Sequence, residues 1–172
     1  MKKMKMYLMT AMLGFATLSM VFTSCKQDEC KDVVCENNGV CNEDDGSCDC
    51  EFGYEGTSCE SLSKTKFIKN WNASDLQDGS TTQIIYTCLI ADGTNIDDVV
   101  IASTFRNNYF QNSINATVSG NIITIPNQQP DSDGYAVSGT GTYNETTGNI
   151  SWDYTITEVA TILTVAHTGN WN

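Results

Sequence analysis

Cysteines are the residues of this sequence whose type and spacing most clearly specify chemistry. The chain has eight of them. Six lie close together, separated by 4, 5, 6, 1 and 8 residues, at Cys30, Cys35, Cys41, Cys48, Cys50 and Cys59. In an exported chain this density is typical of a disulfide framework, and the spacing alone leaves roughly 15 possible pairings. A zinc site is disfavoured, because the segment has neither a histidine nor paired C-x-x-C spacings.

The end of this segment carries a recognisable motif. CDCEFGYEGTSC, at 48 to 59, follows the pattern C-x-C-x-x-G-aromatic-x-G-x-x-C, and Asn38-Gly39 precedes the third cysteine. With these features, residues 30 to 60 resemble an EGF-like module. The resemblance implies the disulfides Cys30–Cys41, Cys35–Cys48 and Cys50–Cys59. So short a segment cannot bury a sizeable core, so the cross-links must stabilise it.

Calcium is one cofactor to consider for such a module. Calcium-binding EGF modules place acidic or amide groups before the first cysteine, where this chain has Asp28 and Glu29. They also have Asp or Asn and an aromatic residue between the third and fourth cysteines, where this chain has Glu43 and no aromatic. Asp28 and Glu29 are therefore weak calcium candidates, and a solvated acidic face is the expected alternative.

Cys25 belongs to a different chemistry. A basic start (Lys2, Lys3, Lys5) and an apolar run over about 7–22 predict a secretory signal peptide at residues 1–24. A transmembrane helix is the alternative, but the run ends at small residues and a cysteine rather than at a basic flank. The order VFTSC resembles a bacterial lipobox, which implies cleavage before Cys25 and its acylation with palmitate-like chains. Two or three such chains anchor a protein durably to a membrane.

The residues after Cys25 form a lipidated tether, 25–29. Lys26, Gln27, Asp28 and Glu29 resemble the short signal that sends some lipoproteins to the outer face of the outer membrane. The predicted location is therefore the outer membrane, facing the cell exterior. A solvated tether without a sorting role is the alternative.

Charge narrows the class of partner. The formal net charge of the whole sequence is −12, and removal of a basic signal peptide would make the chain more acidic still. A strongly acidic protein repels nucleic acid and anionic headgroups. The expected partners are the membrane, through the anchor, and an extracellular protein, glycan or small apolar ligand.

Residues 61–172 have the periodicity of β-strands. Ile150, Trp152, Tyr154 and Ile156 alternate with polar residues, and turn signals such as Gly120-Asn121 separate the apolar runs. One helical turn is expected at 106–112. The pattern predicts about eight antiparallel strands in a closed up-and-down barrel or a sandwich, near 66–73, 82–91, 97–105, 114–119, 121–126, 134–143, 148–158 and 160–168.

Three residues near the start of this domain resemble the opening of lipocalin-like barrels. Lys69-Asn70-Trp71 matches the G-x-W pattern except for the glycine. The resemblance implies either that Trp71 plugs one end of a barrel or that the barrel holds a small apolar ligand. Gly139 and Gly141, on an inward face, either relieve crowding or leave room for a ligand.

Residues able to catalyse a reaction are scarce. His167 is the only histidine, and the alternation near it predicts a satisfied, partly buried side chain. Cys88, among apolar neighbours, is predicted to be a free, inert thiol. A Cys88–His167 dyad would lack a third orienting group. The chain is therefore predicted not to be an enzyme, with no catalytic residue and no cofactor beyond the covalent lipid.

The predicted function is that of a surface-exposed, lipid-anchored binding or adhesion protein, in which an EGF-like spacer holds a β domain outward. Binding would use strand edges or loop tips. The alternative is a lipocalin-like carrier of a small apolar ligand, and the third possibility is a surface hydrolase. An apolar cavity of several hundred Å³ would favour the carrier, whereas a filled core with an exposed aromatic patch would favour adhesion.

Overall fold

The structure, a computed structural model, describes residues 28–172. A disulfide-linked segment comes first, with four two-residue strands in two antiparallel pairs: β1 (Val40–Cys41) with β2 (Cys48–Asp49), and β3 (Tyr54–Glu55) with β4 (Ser61–Leu62). A 3₁₀ turn, Ser63–Phe67, leads from this segment into the second part of the chain.

Eight longer strands follow and form a closed barrel: β5 (Asn70–Gln77), β6 (Gln83–Asp92), β7 (Asp98–Ile101), β8 (Ile114–Ser119), β9 (Ile122–Gln128), β10 (Tyr135–Asn144), β11 (Asn149–Glu158) and β12 (Leu163–Trp171). Each strand pairs antiparallel with the next, and β12 pairs with β5 through Trp171 opposite Ala73. The predicted mainly β fold is confirmed, and of its two forms the barrel is the one found. Closure removes the outer edges of the sheet, but β6 pairs with β7 only through Ile90, Ala91 and Asp92, so its residues 83–88 have a strand partner, β5, on one side only.

The inward faces of the strands follow the alternation of the sequence. Trp152 and Tyr154 of β11 are buried, whereas the intervening Asp153 is exposed. Gly139 and Gly141 of β10 lie directly against them: a Cβ atom on Gly139 would be 2.3 Å from the Cβ of Tyr154, and one on Gly141 would be 2.9 Å from Cδ2 of Trp152. Other close neighbours are the backbone of β11 at Gly139 and the methyl groups of Ile123 and Ile150 at Gly141, so the two glycines make room for the adjacent strand and for the barrel's own core side chains.

Side chains fill the interior of the barrel. The largest fully buried ones are three tryptophans, three phenylalanines and several isoleucines, among them Trp71, Trp152, Trp171, Phe67, Phe105 and Phe110. The ring of Trp71 makes an edge contact with Tyr143, and its Nε1 donates to the carbonyl of Phe67 at 2.8 Å. Trp71 thus closes the end of the barrel at which β5 begins.

Several sequence-based boundaries differ from the structure: β7 ends at Ile101 rather than near residue 105, and β12 spans Leu163–Trp171 rather than 160–168. The first barrel strand begins at Asn70 rather than near residue 66, because Ser63–Phe67 forms the 3₁₀ turn. The helical turn expected at 106–112 is α1 (Phe105–Asn108), in which Arg106 and Asn107 have left-handed backbone angles. Strand β4 (Ser61–Leu62) pairs with β3, so hydrogen bonding associates these two residues with the disulfide-linked segment rather than with the barrel.

The disulfide-linked segment packs against one end of the barrel, which we call the proximal end. Lys66 Nζ donates to Glu55 Oε2 of the disulfide-linked segment at 2.6 Å and to Asn121 Oδ1 at 2.5 Å. Asn121 lies in the β8–β9 turn of the barrel. The Cα of Gly53 faces the side chain of Ile96 in the β6–β7 loop. The opposite, distal end carries the loops 78–82, 102–113, 129–134 and 159–162.

Candidate functional site

The three disulfides of the N-terminal segment are Cys30–Cys41, Cys35–Cys48 and Cys50–Cys59. This is the pairing that the EGF-like resemblance implies. Asn37 Nδ2 donates to the carbonyl of Cys59, the one fully buried cysteine of the three pairs. The cross-links and a few hydrogen bonds hold a segment that buries few apolar side chains.

The other predicted N-terminal site residues are placed only in part. Cys25, Lys26 and Gln27 lie outside the described residues, as does the signal peptide. Asp28 and Glu29 are exposed, and Asp28 Oδ1 accepts the backbone N–H of Cys30 at 3.2 Å. Within residues 28–172, no group of three or more His, Cys, Asp or Glu side chains is arranged to hold a metal ion.

At the distal end, the β7–β8 loop folds into the barrel mouth. Phe105 of α1 is fully buried and packs against Tyr154 and Trp171, with ring centroids 5.0 and 5.8 Å apart. The carboxylate of Asp131, in the β9–β10 loop, accepts the backbone N–H groups of Gln111 and Asn112 at 2.8 Å each. The loop is therefore held by a buried ring on one side and by hydrogen bonds on the other.

A buried carboxylate lies deeper in the barrel. Asp75 is fully buried; its Oδ2 accepts the hydroxyls of Tyr86 at 2.5 Å and Tyr154 at 2.6 Å, and its Oδ1 accepts the indole N–H of Trp171 at 3.0 Å. Burial and the charge of Asp75 raise the pKa of both tyrosines, so both hydroxyls keep their protons and donate. This network joins β5 to β6, β11 and β12.

Two nitrogen-containing side chains lie between this network and the distal solvent. His167 is 4% exposed and stacks on Tyr154 with ring centroids 4.9 Å apart. Burial, followed by repulsion from Arg106, lowers the pKa of His167 to about 4, so the imidazole is neutral at neutral pH. Burial of this histidine is more complete than the sequence indicated, and its Nδ1 has no hydrogen-bond partner among the described residues.

Arg106 is the only arginine of the sequence and is 8% exposed. Its Nη2 lies 3.5 Å from Gln77 Oε1, and its Nε has no partner within the part of the chain that the structure describes. The backbone around it is left-handed at three successive residues, with φ of 53° at Arg106, 58° at Asn107 and 61° at Asn108. Asparagine tolerates this conformation, whereas arginine rarely adopts it, so Arg106 is the strained residue of the turn.

These side chains border a pocket of about 170 Å³ at the distal end, which we call the mouth pocket. Its polar wall consists of Gln77, Arg106, Glu158 and His167. Its apolar wall consists of Tyr109, Tyr135, Ile156, Leu163 and Val165. The volume is below the range of about 300–1,000 Å³ that is usual for drug-sized ligands.

Exposed apolar side chains surround the opening of the mouth pocket. We call this set the distal rim: Tyr109, Val159, Ile162 and Leu163, which are 46%, 45%, 80% and 62% exposed. Ile162 has φ of 58°, a left-handed conformation that is a genuine outlier for a β-branched residue. An exposed and strained isoleucine contributes little to folding and is a candidate binding residue.

Cys88 is a free, buried thiol, as predicted. Its Sγ lies near the carbonyls of Leu89 and Ala102, and burial raises its pKa to about 11. Within residues 28–172, no hydrogen bond joins Cys88 to His167. The structure therefore does not assemble the dyad considered from the sequence.

Sequence reasoning missed Asp75, Arg106 and Ile162. The sequence contained a sign of the buried carboxylate, because Asp75 falls together with Trp71 and Ala73 on the inward face of β5. A carboxylate in the core needs hydrogen-bond partners, so its place there indicates a polar network. Arg106 had one too, as the single arginine of an acidic chain. Ile162 had none, since no sequence pattern marks its backbone conformation.

Comparison with known proteins finds a similarity for the N-terminal part of the chain. No protein-family model matches it. Over 52 residues covering the disulfide-rich segment, it is 37% identical to Fibropellin-3 of Strongylocentrotus purpuratus. The match covers 29% of this chain and 9% of the relative. Together with the three disulfides, the match supports an EGF-like module in the N-terminal segment, and the fold that follows is an eight-stranded antiparallel barrel.

A search of the helices in the described part of the chain finds none long and apolar enough to cross a membrane.

Proposed function

We propose that the chain is a lipid-anchored binding protein of the bacterial outer surface, which binds an extracellular protein through the distal rim. In this proposal Cys25 carries the acyl chains, the EGF-like module is the spacer, and the barrel presents its distal end to partners. The observation that carries the proposal is the position of the distal rim. Its exposed apolar side chains lie at the end of the barrel opposite the module.

Closure of the barrel directs binding to the loops. The strand-edge mode expected from the sequence is confined mainly to residues 83–88 of β6, which pair with β5 alone. The loop tips at the distal end are the other mode expected from the sequence, and they carry the exposed side chains of the distal rim. Val159 and Ile162 occupy the β11–β12 tip, where nothing in the fold requires apolar side chains.

The two alternatives, a lipocalin-like carrier and a surface hydrolase, receive less support. The interior is filled by aromatic side chains, and the mouth pocket is smaller than the cavity that a carrier of lipid-sized ligands needs. For a hydrolase, the raised pKa of Cys88 disfavours the thiolate that would have to attack. A second distal pocket, of about 340 Å³, is large enough for a small ligand, but it is lined by the outward-facing Leu76, Ala166 and Thr168 and by the β5–β6 loop rather than by the barrel interior.

Binding through the rim is tested with a double variant, Val159→Thr with Ile162→Asn. Asparagine tolerates left-handed backbone angles, so the second change should relieve strain as well as remove the apolar surface. We expect purified protein to bind arrayed extracellular proteins and the double variant to lose that binding, while its melting temperature stays equal or rises. Ile122→Thr, an exposed isoleucine at the proximal end, is the matched control and should bind normally. Equal binding by the double variant, or binding to glycans alone, would contradict the proposal.

The anchor and its orientation are tested in cells. Cys25→Ala should release the protein from membranes or leave it unprocessed, since it removes the acylated sulfur. Asp28→Ala with Glu29→Ala should leave it lipidated but hidden from protease added to intact cells. If protease digests this variant as readily as the wild type, the export role of residues 26–29 is wrong.

A further inference from the structure

The polar wall of the mouth pocket contains a buried positive charge without a counter-ion. Arg106 is 8% exposed, and its best side-chain contact is the neutral amide of Gln77 at 3.5 Å, at the limit of a hydrogen bond. Among residues 28–172 it forms no ion pair. A buried guanidinium without a partner destabilises the fold, which a protein tolerates where a ligand is to be bound.

The nearby acids do not neutralise Arg106. Asp75 lies deeper in the barrel, and its oxygens already accept three hydrogen bonds. Glu158 lines the pocket nearer to solvent, and its Oε2 accepts the hydroxyl of Thr161 at 2.5 Å. No ion pair joins Arg106 to either carboxylate in the described part of the chain, so the place beside the guanidinium is open to an anion.

A second unsatisfied group borders the same pocket. His167 is 4% exposed, and its Nδ1 has no partner within residues 28–172. The low pKa of His167 leaves its imidazole neutral, so the ring does not repel the guanidinium of Arg106. A neutral imidazole also has one N–H to donate to an oxygen. An unpartnered guanidinium nitrogen and an unpartnered imidazole nitrogen thus border one small cavity.

The opposite wall sets the size and the chemistry of the rest of the ligand. It is apolar, with Ile156 and Val165 behind two tyrosine rings, Tyr109 and Tyr135, which make an edge contact at 6.1 Å. A volume of about 170 Å³ admits a compact ring or a short branched chain and excludes a fatty acid. Apolar burial would add to the attraction between the charges.

We propose that the mouth pocket binds a small organic carboxylate. Its carboxylate pairs with the guanidinium of Arg106 and accepts a hydrogen bond from His167, and its apolar body lies against Ile156 and Val165. Planar guanidinium groups match carboxylates in two parallel hydrogen bonds, which a lysine cannot do. The inference rests on the proposed function, because it adds a small-ligand site beside the distal rim that we propose to bind protein.

The test uses benzoate as the probe and benzamide as its neutral counterpart of nearly equal shape. Titration calorimetry on the mature, disulfide-bonded chain should detect benzoate binding, and benzamide should bind about 10- to 100-fold more weakly, the range of a charge-assisted pair. Inorganic phosphate, which lacks the apolar body, should also bind more weakly than benzoate. Phosphate binding as tight as that of benzoate would overturn the organic class of the ligand.

Variants locate the site. Arg106→Gln should weaken benzoate binding about 10- to 100-fold and leave the unliganded protein as stable as the wild type or more so, because it removes an unpaired buried charge. Lys69→Gln is the charge-matched control near the proximal end and should bind benzoate normally. Glu158→Gln should bind benzoate more tightly, because it removes a negative charge from the pocket.

Two results would overturn the inference: no detectable benzoate binding by the wild type, or equal binding by Arg106→Gln. Should Arg106→Gln fail to fold, Tyr109→Ala, which truncates an exposed wall of the pocket, must weaken benzoate binding instead. The rim variant Val159→Thr with Ile162→Asn changes no residue that lines the mouth pocket. It should therefore keep benzoate binding, so that a failure of protein binding and a failure of carboxylate binding are separate results.

Discussion

Replacement of Asp75 by alanine should be among the most destabilising single changes in the barrel. It would leave three buried donors without an acceptor: the hydroxyls of Tyr86 and Tyr154 and the indole N–H of Trp171. Each unsatisfied buried group costs about 1–3 kcal/mol, and relief of the buried charge offsets part of the sum. We expect a loss of about 3–6 kcal/mol, a large share of the total stability of a domain, which is about 5–15 kcal/mol.

The measurement is urea unfolding at neutral pH with the disulfides intact. Tyr154→Phe removes one donor and leaves the carboxylate with two, so it should cost about 1.5–3 kcal/mol, less than Asp75→Ala. In a double variant, Tyr154→Phe should add little further loss, because its partner is already absent. Asp153→Ala, on the exposed face of β11, is the matched control and should change stability by no more than about 0.5 kcal/mol.

A loss of less than about 1 kcal/mol for Asp75→Ala would refute this reasoning, because it would mean that water or a rearranged core satisfies the three donors. Additive losses in the double variant would be equally damaging. They would show that Asp75 and Tyr154 act independently rather than through their 2.6 Å hydrogen bond.

Three further outcomes are expected. Cys88 should react slowly with a thiol reagent in the native protein at neutral pH, because burial raises its pKa to about 11; rapid labelling would mean that β6 opens readily. Since burial and, to a smaller extent, Arg106 lower the pKa of His167 from 6.5 to about 4, the unfolded chain binds this proton more readily than the native one, and about 2–3 kcal/mol of stability should be lost as the pH falls from 6.5 to about 4. Urea unfolding of His167→Gln over the same range should lack that part of the slope, and an unchanged slope would disprove the assignment. Cys50→Ser with Cys59→Ser should make the EGF-like module sensitive to protease while the barrel melts within a few degrees of the wild type, and joint unfolding of both parts would argue against separate units.

The sequence predicts those features of the structure, such as strand faces and turns, that depend on residues near one another in the chain. The alternation around Trp152 gives the inward face of β11, and Gly120 marks a turn that the structure contains. Disulfide pairing required a resemblance, because spacing alone leaves it open. The start of β5 was displaced because no local pattern distinguishes a short 3₁₀ turn from the first residues of a strand.

The candidate sites were harder to predict because they are built by long-range contacts. Tyr154 and Trp171 reach Asp75 from 79 and 96 residues further along the chain. Only closure of the barrel brings these strands together, so no window of the sequence contains the network. The left-handed turn at Arg106 is likewise held from outside, by Asp131 and by the burial of Phe105. A residue whose conformation is imposed by its surroundings leaves no pattern in its own segment.

Closure through β5 and β12 also sets an order of events during folding. The seam pairs Trp171 of the last barrel strand with Ala73 of the first, so the barrel cannot close until β12 has been synthesised. Until then Cys88 is an accessible thiol in addition to the six that form the module's disulfides, and thiolates exchange with disulfides on a timescale of seconds to hours. The six framework cysteines precede Cys88 along the chain and can pair before it emerges. Completion of the last strand then sequesters Cys88, so barrel closure is the step that removes the remaining thiol from disulfide exchange.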